Sequence, residues 1–274
     1  MRIIDVSKWQ GHSINWDRVK SAGIDGVLLR AGYGRYASQK DPTFEKNYSE
    51  CKRVGLAVGA YWYSYATNVA QAAQEAHIFL DVLAGKQFEL PVAYDIEYEP
   101  GILALSNAQR TQLVKTFLSM VEQAGYYGIL YASTDFIKNK LNYKELTRYD
   151  VWAAQYGKKC TCPLPYGIWQ YTSAGRVDGV AGNVDLNTGY KDYPHIIRGA
   201  GLNGFTKTPG QPAGDGSNAG ETRPPDGETQ PNGGEIVQHS SFTVGPVSPG
   251  DFAQLYAIVK AKADELGNIP IMIE

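Results

Sequence analysis

Residues 90–97 read Leu-Pro-Val-Ala-Tyr-Asp-Ile-Glu, an apolar run that ends in two acids, Asp95 and Glu97. On a buried strand, residues two apart leave the same face, so these carboxyls start from Cβ atoms roughly 6–7 Å apart. Two acids so placed suit cleavage of a glycosidic bond, in which one carboxyl stays protonated while the other is ionised. An isolated Asp-x-Glu is an ordinary solvated strand edge. What sets this one apart is that acids recur at other strand ends along the chain.

The elements that must position the acids follow from periodicity and caps. Strands are expected at 2–6, 26–31, 57–63 and 90–97, and again at 127–132, 149–154, 167–171 and 183–186. Asn15 caps a helix through Trp16 and Val19. Asp41-Pro42 reads as N-cap and first residue of a second helix that Gly55 closes. A third helix, of about 17 residues, runs through Ala76 and Leu83 to Gly85. Ser106 and Gln109 make a capping box for a fourth, ending at Gly125, and a short helix covers 136–140.

The first five strands begin about 24–35 residues apart, room for a strand, a helix and two loops, whereas the last three are only about 15–18 apart. The fold class is therefore α/β: a modified TIM-like barrel of five βα units plus three further strands, with a linker and a small β-α-β C-terminal unit. Barrels of this kind build their sites at the C-terminal ends of the strands. Those ends hold Asp5, Arg30 with Tyr33, Tyr61 with Tyr63, Asp95 with Glu97, Tyr131, Gln155, Gln170 and Asp185.

Residues 1–205 make up the barrel. Residues 206–240 form a linker dominated at first by Gly, Pro, Thr, Asn and acids, with almost no large apolar side chain. In residues 241–274, Ser248-Pro249 caps a helix with Phe252, Leu255, Tyr256, Val259 and Leu266 at helical spacing. So small a unit does not bury enough to stand alone, which predicts self-association into a homo-oligomer or docking on a partner such as the cell wall.

Composition excludes several classes. With 274 residues and a net charge of −2, the chain carries no electrostatic footprint for nucleic acid or an anionic membrane. The start lacks a basic segment followed by an apolar run, so neither a secretion signal nor a membrane span is expected. Cys51, Cys160 and Cys162 read as reduced, structural thiols. His12, His77, His195 and His239 show no ligand spacing, and no metal or other cofactor is expected. A hydrolase using the same acids as hard oxygen ligands for Mg²⁺ or Ca²⁺ is one rival reading. A glycan-binding barrel without catalytic power is another. A chitinase-like Asp-x-x-Asp-x-Asp-x-Glu run is absent, since only its last two acids are present.

Taken together, the motifs resemble glycoside hydrolase family 25, the Chalaropsis-type muramidases common as phage endolysins. The match begins with Asp5-Val-Ser-Lys-Trp-Gln-Gly11 and Ile14-Asn-Trp16, then Leu29-Arg-Ala-Gly32, Gly59-Ala-Tyr-Trp-Tyr63 and Tyr94-Asp-Ile-Glu97. It continues through Leu130-Tyr-Ala-Ser133, Val151-Trp-Ala-Ala-Gln-Tyr156, Trp169-Gln-Tyr-Thr172 and Asn183-Val-Asp-Leu-Asn187, covering about residues 1–193 in order. The resemblance implies hydrolysis of the β-1,4 bond between N-acetylmuramic acid and N-acetylglucosamine in peptidoglycan. It implies Glu97 as proton donor and Asp95 as its partner, stabilising developing charge or the substrate's 2-acetamido group. Asp5 and Asp185 are the flanking carboxylates. The lack of a secretion signal fits a phage lysin made in the host cytoplasm that reaches the wall on release at lysis, with a bacterial autolysin exported by another route as the alternative.

Tyr33, Tyr61, Tyr63, Tyr131, Trp152 and Gln170 are the candidate substrate-binding walls, with core packing the competing reading for Tyr63 and Tyr131. Trp152 is expected to be turned outward into the core by strand alternation. Donation near neutral pH requires a raised pKa, and with like charges around it Glu97 is expected to be the perturbed acid.

Overall fold

The computed structural model describes residues 1–11 and 13–207. The expected linker beyond residue 207 and the C-terminal unit lie outside the described residues. Eight strands close a barrel in sequence order: β1 Arg2–Val6, β2 Gly26–Tyr33, β3 Ala57–Tyr63, β4 Val92–Asp95, β5 Gly128–Ser133, β6 Asp150–Ala154, β7 Ile168–Gly175 and β8 Val184–Gly189. Helices α1 Trp16–Ser21, α2 Phe44–Arg53, α3 Val69–Leu83, α4 Pro100–Leu103, α5 Asn107–Gln123 and α6 Thr134–Lys140 intervene between strands, and α7 Tyr193–Ala200 follows β8. The expected barrel is thus present, α3 runs 15 residues, and the Ser106–Gln109 capping box forms as read.

Alternation along the strands sorts the apolar residues into two cores. Ile3, Leu28, Ala93, Ile129, Trp152 and Ile168 fill the barrel. Their neighbours Ile4, Val27, Val58, Val92, Leu130 and Val151 face outward and pack with Phe44, Phe79 and Phe117 of the surrounding helices. Strands covered on both faces in this way have no polar side to show, which is why they read as continuous apolar runs.

Three expectations need correction. β8 is antiparallel to both neighbours, so Asp185 reaches the catalytic rim from the start of its strand and sits in register opposite Asp5. Asp41 does not cap α2. Thr43 holds the cap position, and the Asp41 carboxylate instead accepts from Thr43 N and Oγ1, from Lys8 N at 3.0 Å, and pairs with Arg30. Trp152 points into the barrel rather than out: Val151 and Ala153 are equally apolar, so the alternation carries no phase.

The floor of the barrel is closed by residues after β8. Tyr193 on α7 donates to Asp150 Oδ2 at 2.7 Å. A Cβ on Gly167 would lie 1.8 Å from that phenol oxygen, so the approach requires glycine. Asn203, in the left-handed region at φ 55°, donates to the carbonyls of Phe88 and Leu90 and accepts from Tyr127 N, satisfying three backbone groups at the strand starts.

Candidate active site

At the opposite end the strand termini surround a cavity of about 260 Å³. Its lining includes Asp5 from β1, Asp95 at the end of β4, Glu97 in the loop beyond, and Asp185 from β8. The four acids expected from the sequence therefore converge. Tyr61, Tyr63, Tyr131, Trp152 and Gln170 line the same space, joined by Trp9, Gln10, Arg30 and Tyr156. Tyr33 is the exception: it lies outside the lining, edge-on to Tyr65 and beneath Arg30 and Lys8.

Asp5 is the most firmly held of the acids. Its Oδ2 accepts from Gln170 Nε2 at 3.0 Å and from Asn187 Nδ2 at 2.8 Å. Each amide is held in turn, Gln170 Oε1 by the Tyr131 hydroxyl at 3.0 Å and Asn187 Oδ1 by Trp152 Nε1 at 2.7 Å. Gln170 thus lines the cavity while holding Asp5, and Trp152 and Tyr131 act partly through this chain. Their rings pack 4.3 Å apart, with Tyr61 edge-on to Trp152 at 5.7 Å, giving the cavity an aromatic wall and floor.

The electrostatics follow from burial. None of the ion pairs among the described residues reaches Asp5, Asp95, Glu97 or Asp185. Arg30, the cation in the lining, is occupied by Asp41, with Nε and Nη2 at 2.8 and 2.7 Å from Oδ2. Burial, and next the Asp185 carboxylate opposite it, push Asp5 up to about 8. Asp95 is raised well above the usual carboxylate range by burial first, then by Glu97 and Asp5. Its Oδ1 has no hydrogen-bond partner among the described residues. Glu97 is raised by burial too, but its hydrogen bond with Asp95 draws it back down. Glu97 is thus perturbed as expected, but it is not the only acid that is. Asp95, deeper and barely exposed, is raised as well, and each of the two acids acts on the other.

Sequence reasoning left Trp9 and Tyr156 out of the site, although both lie in the quoted motifs. Trp9 is 76% exposed and Tyr156 59%, each beside the cavity. A large aromatic residue next to a strand end that carries an acid is the available signal. Among the described residues, no group of three or more His, Cys, Asp or Glu is arranged to hold a metal ion.

Comparison with known proteins agrees with this geometry. The family described as glycosyl hydrolases family 25 matches residues 4–180. The autolytic lysozyme of Clostridium acetobutylicum is 29% identical over 188 residues, 68% of this chain and 55% of that protein. Lysozyme M1 of Streptomyces globisporus is 30% identical over 198 residues, 67% of this chain and 66% of its own length. Among solved structures, the CTP1L endolysin is similar with a TM-score of 0.63 at 28% identity, over 72% of this chain and 69% of that one. The chain thus spans just over half of one of these curated relatives and about two thirds of the other. A closed barrel with four acids at one end and a family match across most of it lead to one assignment: this chain is a glycoside hydrolase and belongs to family 25.

Proposed function

We propose that this enzyme cleaves the β-1,4 bond between N-acetylmuramic acid and N-acetylglucosamine in bacterial peptidoglycan, with Glu97 as the acid. The observation that carries the reading is the convergence of Asp5, Asp95, Glu97 and Asp185 in one aromatic-walled cavity that holds no ion-paired acid. Glycosidic cleavage needs a proton on the leaving oxygen while positive charge develops at the sugar carbon. Glu97 is less buried than Asp95 and follows it in the loop at the rim, so it is the member placed to reach that oxygen.

Asp95 and Glu97 act directly on one another's ionisation. Asp95 orients the substrate's 2-acetamido group or stabilises the developing charge as Glu97 gives up its proton. Asp5 and Asp185 orient the sugar or the incoming water. In this reading the protein is a phage-type lysin, made in the host cytoplasm and acting on the wall after lysis, and residues 241–274 serve oligomerisation or wall attachment.

The test is digestion of purified, N-acetylated peptidoglycan, followed by borohydride reduction and mass analysis of the new ends. Reduced muramic acid ends, lost in Glu97→Gln, are expected. Reduced glucosamine ends would make the enzyme a glucosaminidase. Wall binding with no new ends would replace the enzymatic reading with a binding module.

A further inference from the structure

Glu97 sits on neither a strand nor a helix. β4 stops at Asp95 and α4 starts at Pro100, so residues 96–99 form a free-standing bridge at the cavity mouth. Its backbone is tied by Ile96 N to Tyr131 O at 3.2 Å, by Ser64 N to Asp95 O at 2.9 Å and by Glu99 N to Glu97 O at 2.9 Å. The two side chains after Glu97 anchor it to elements on either side of β4. The Tyr98 hydroxyl donates to Asp135 on α6. The Tyr63 hydroxyl, from β3, donates to Glu99 Oε1 at 2.5 Å.

Taking Glu97 as the acid, as proposed above, we propose that Glu99 is a positioning residue for it: its bond to Tyr63 fixes the bridge that carries Glu97 and sets a further carboxyl group two residues from the acid. Glu99 is a fifth acid, outside the four read from the motifs. Tyr63, which borders the cavity, is the group that connects it to the site.

The groups facing Glu97 define what Glu99 adds. Asp95 lies beside it on β4, Asp185 faces it from β8 and Asp5 from β1. Tyr63, Tyr131 and Tyr156 face it from β3, β5 and the residues after β6, and all three are raised above the usual phenol range, so they stay neutral. Arg30 on β2 acts on Asp95 and is already paired with Asp41. Of the charges acting on Glu97, those of Glu99 and Asp185 both oppose its ionisation. Glu99 itself lies outside the cavity lining and can be neutralised while an acceptor for Tyr63 is kept.

Glu99→Gln removes the charge and keeps a carbonyl acceptor for Tyr63. The basic limb of the kcat/KM profile against pH, measured on soluble glycan-strand fragments, is expected to move down by roughly half to one unit. Activity on the acidic plateau should stay within about three-fold of wild type, since the Tyr63 bond remains. Glu99→Asp, which keeps the charge, should return the limb toward the wild-type position. A limb that stays in place in Glu99→Gln, including one where activity falls equally at every pH, overturns the proposal and leaves Glu99 a structural anchor. Thermal melting of each variant shows that the folded enzyme is being compared. Glu97→Gln is measured in parallel. If it is inactive while the limb is unmoved, only the role of Glu99 falls. If it stays active, the assignment of Glu97 falls and this inference with it.

Discussion

The two ends of the barrel treat buried carboxylates in opposite ways. At the floor, Asp150 is 4% exposed and Glu89 6%. Asp150 accepts from Tyr193, Tyr127, Lys191 and Val151 N. Glu89 accepts from Lys52 at 2.5 Å, Arg198 at 3.1 Å and Val58 N. At the rim, Asp5 is 6% exposed and Asp95 3%, as buried as their counterparts, yet neither has an ion-pair partner among the described residues. Asp5 faces Asp185 directly across the β1–β8 ladder, a like-charge pairing that sheets avoid. Burying a charge is costly unless it is paired, and an unpaired acid escapes the cost by keeping its proton. The floor pairs its buried carboxylates, and the rim leaves its own without a paired cation among the described residues.

The largest effect expected at the rim is on chemistry alone. Glu97→Gln should lower turnover by ~10³-fold or more, with an unchanged melting temperature. At the floor the effect should be reversed. Asp150→Ala strands two phenols and a backbone N–H and should cost about 2–4 kcal/mol in urea denaturation, while the folded fraction turns over at the wild-type rate. An Asp150→Ala enzyme with full stability would break the comparison.

Asp5 sharpens the comparison through pH. Its folded-state pKa of about 8 lies above the usual 3.8, so the folded protein binds this proton more tightly than the unfolded chain. The stability it contributes is complete below about pH 4 and is lost as the pH rises through 8. Urea denaturation at a series of pH values should show that decline in wild type and a flatter profile in Asp5→Asn. The smallest effect belongs to Lys191→Met. Its ammonium lies 3.0 Å from Asp150 with a side chain 40% exposed, and its loss should cost under about 1 kcal/mol because both phenols remain.

Much of this was legible in the sequence because strand chemistry is local. The apolar runs, the Asn15 and Ser106 caps, and the change in strand spacing after residue 132 are each set by neighbours a few residues apart. What was illegible depends on partners far along the chain. The direction of β8 leaves no trace in period-two alternation, so Asp185 was placed correctly at the rim but on the wrong end of its strand. Asp41-Pro42 has the form of a helix start, and only Arg30 and Lys8 N, 11 and 33 residues away, show where its carboxylate goes. Gln170 was read as a cavity wall, where it lies, but its bond to Asp5, 165 residues away, left no local sign. The helix that closes the floor was overlooked although Asp192 and Pro194 signal it: Asp192 accepts from His195 N as an N-cap, and Pro194 lies in the first turn.

Asp95 tests the contrast between the two ends most directly, since it is as buried as Asp150 and lacks its partners. The measurement is of unfolding midpoint and turnover together, at neutral pH, in Asp95→Asn. An amide there needs no proton and no counter-ion, so the midpoint should equal or exceed that of wild type while turnover falls by at least ~100-fold. A clear loss of stability with turnover largely retained would show Asp95 to be a structural acid like Asp150 and would contradict the account.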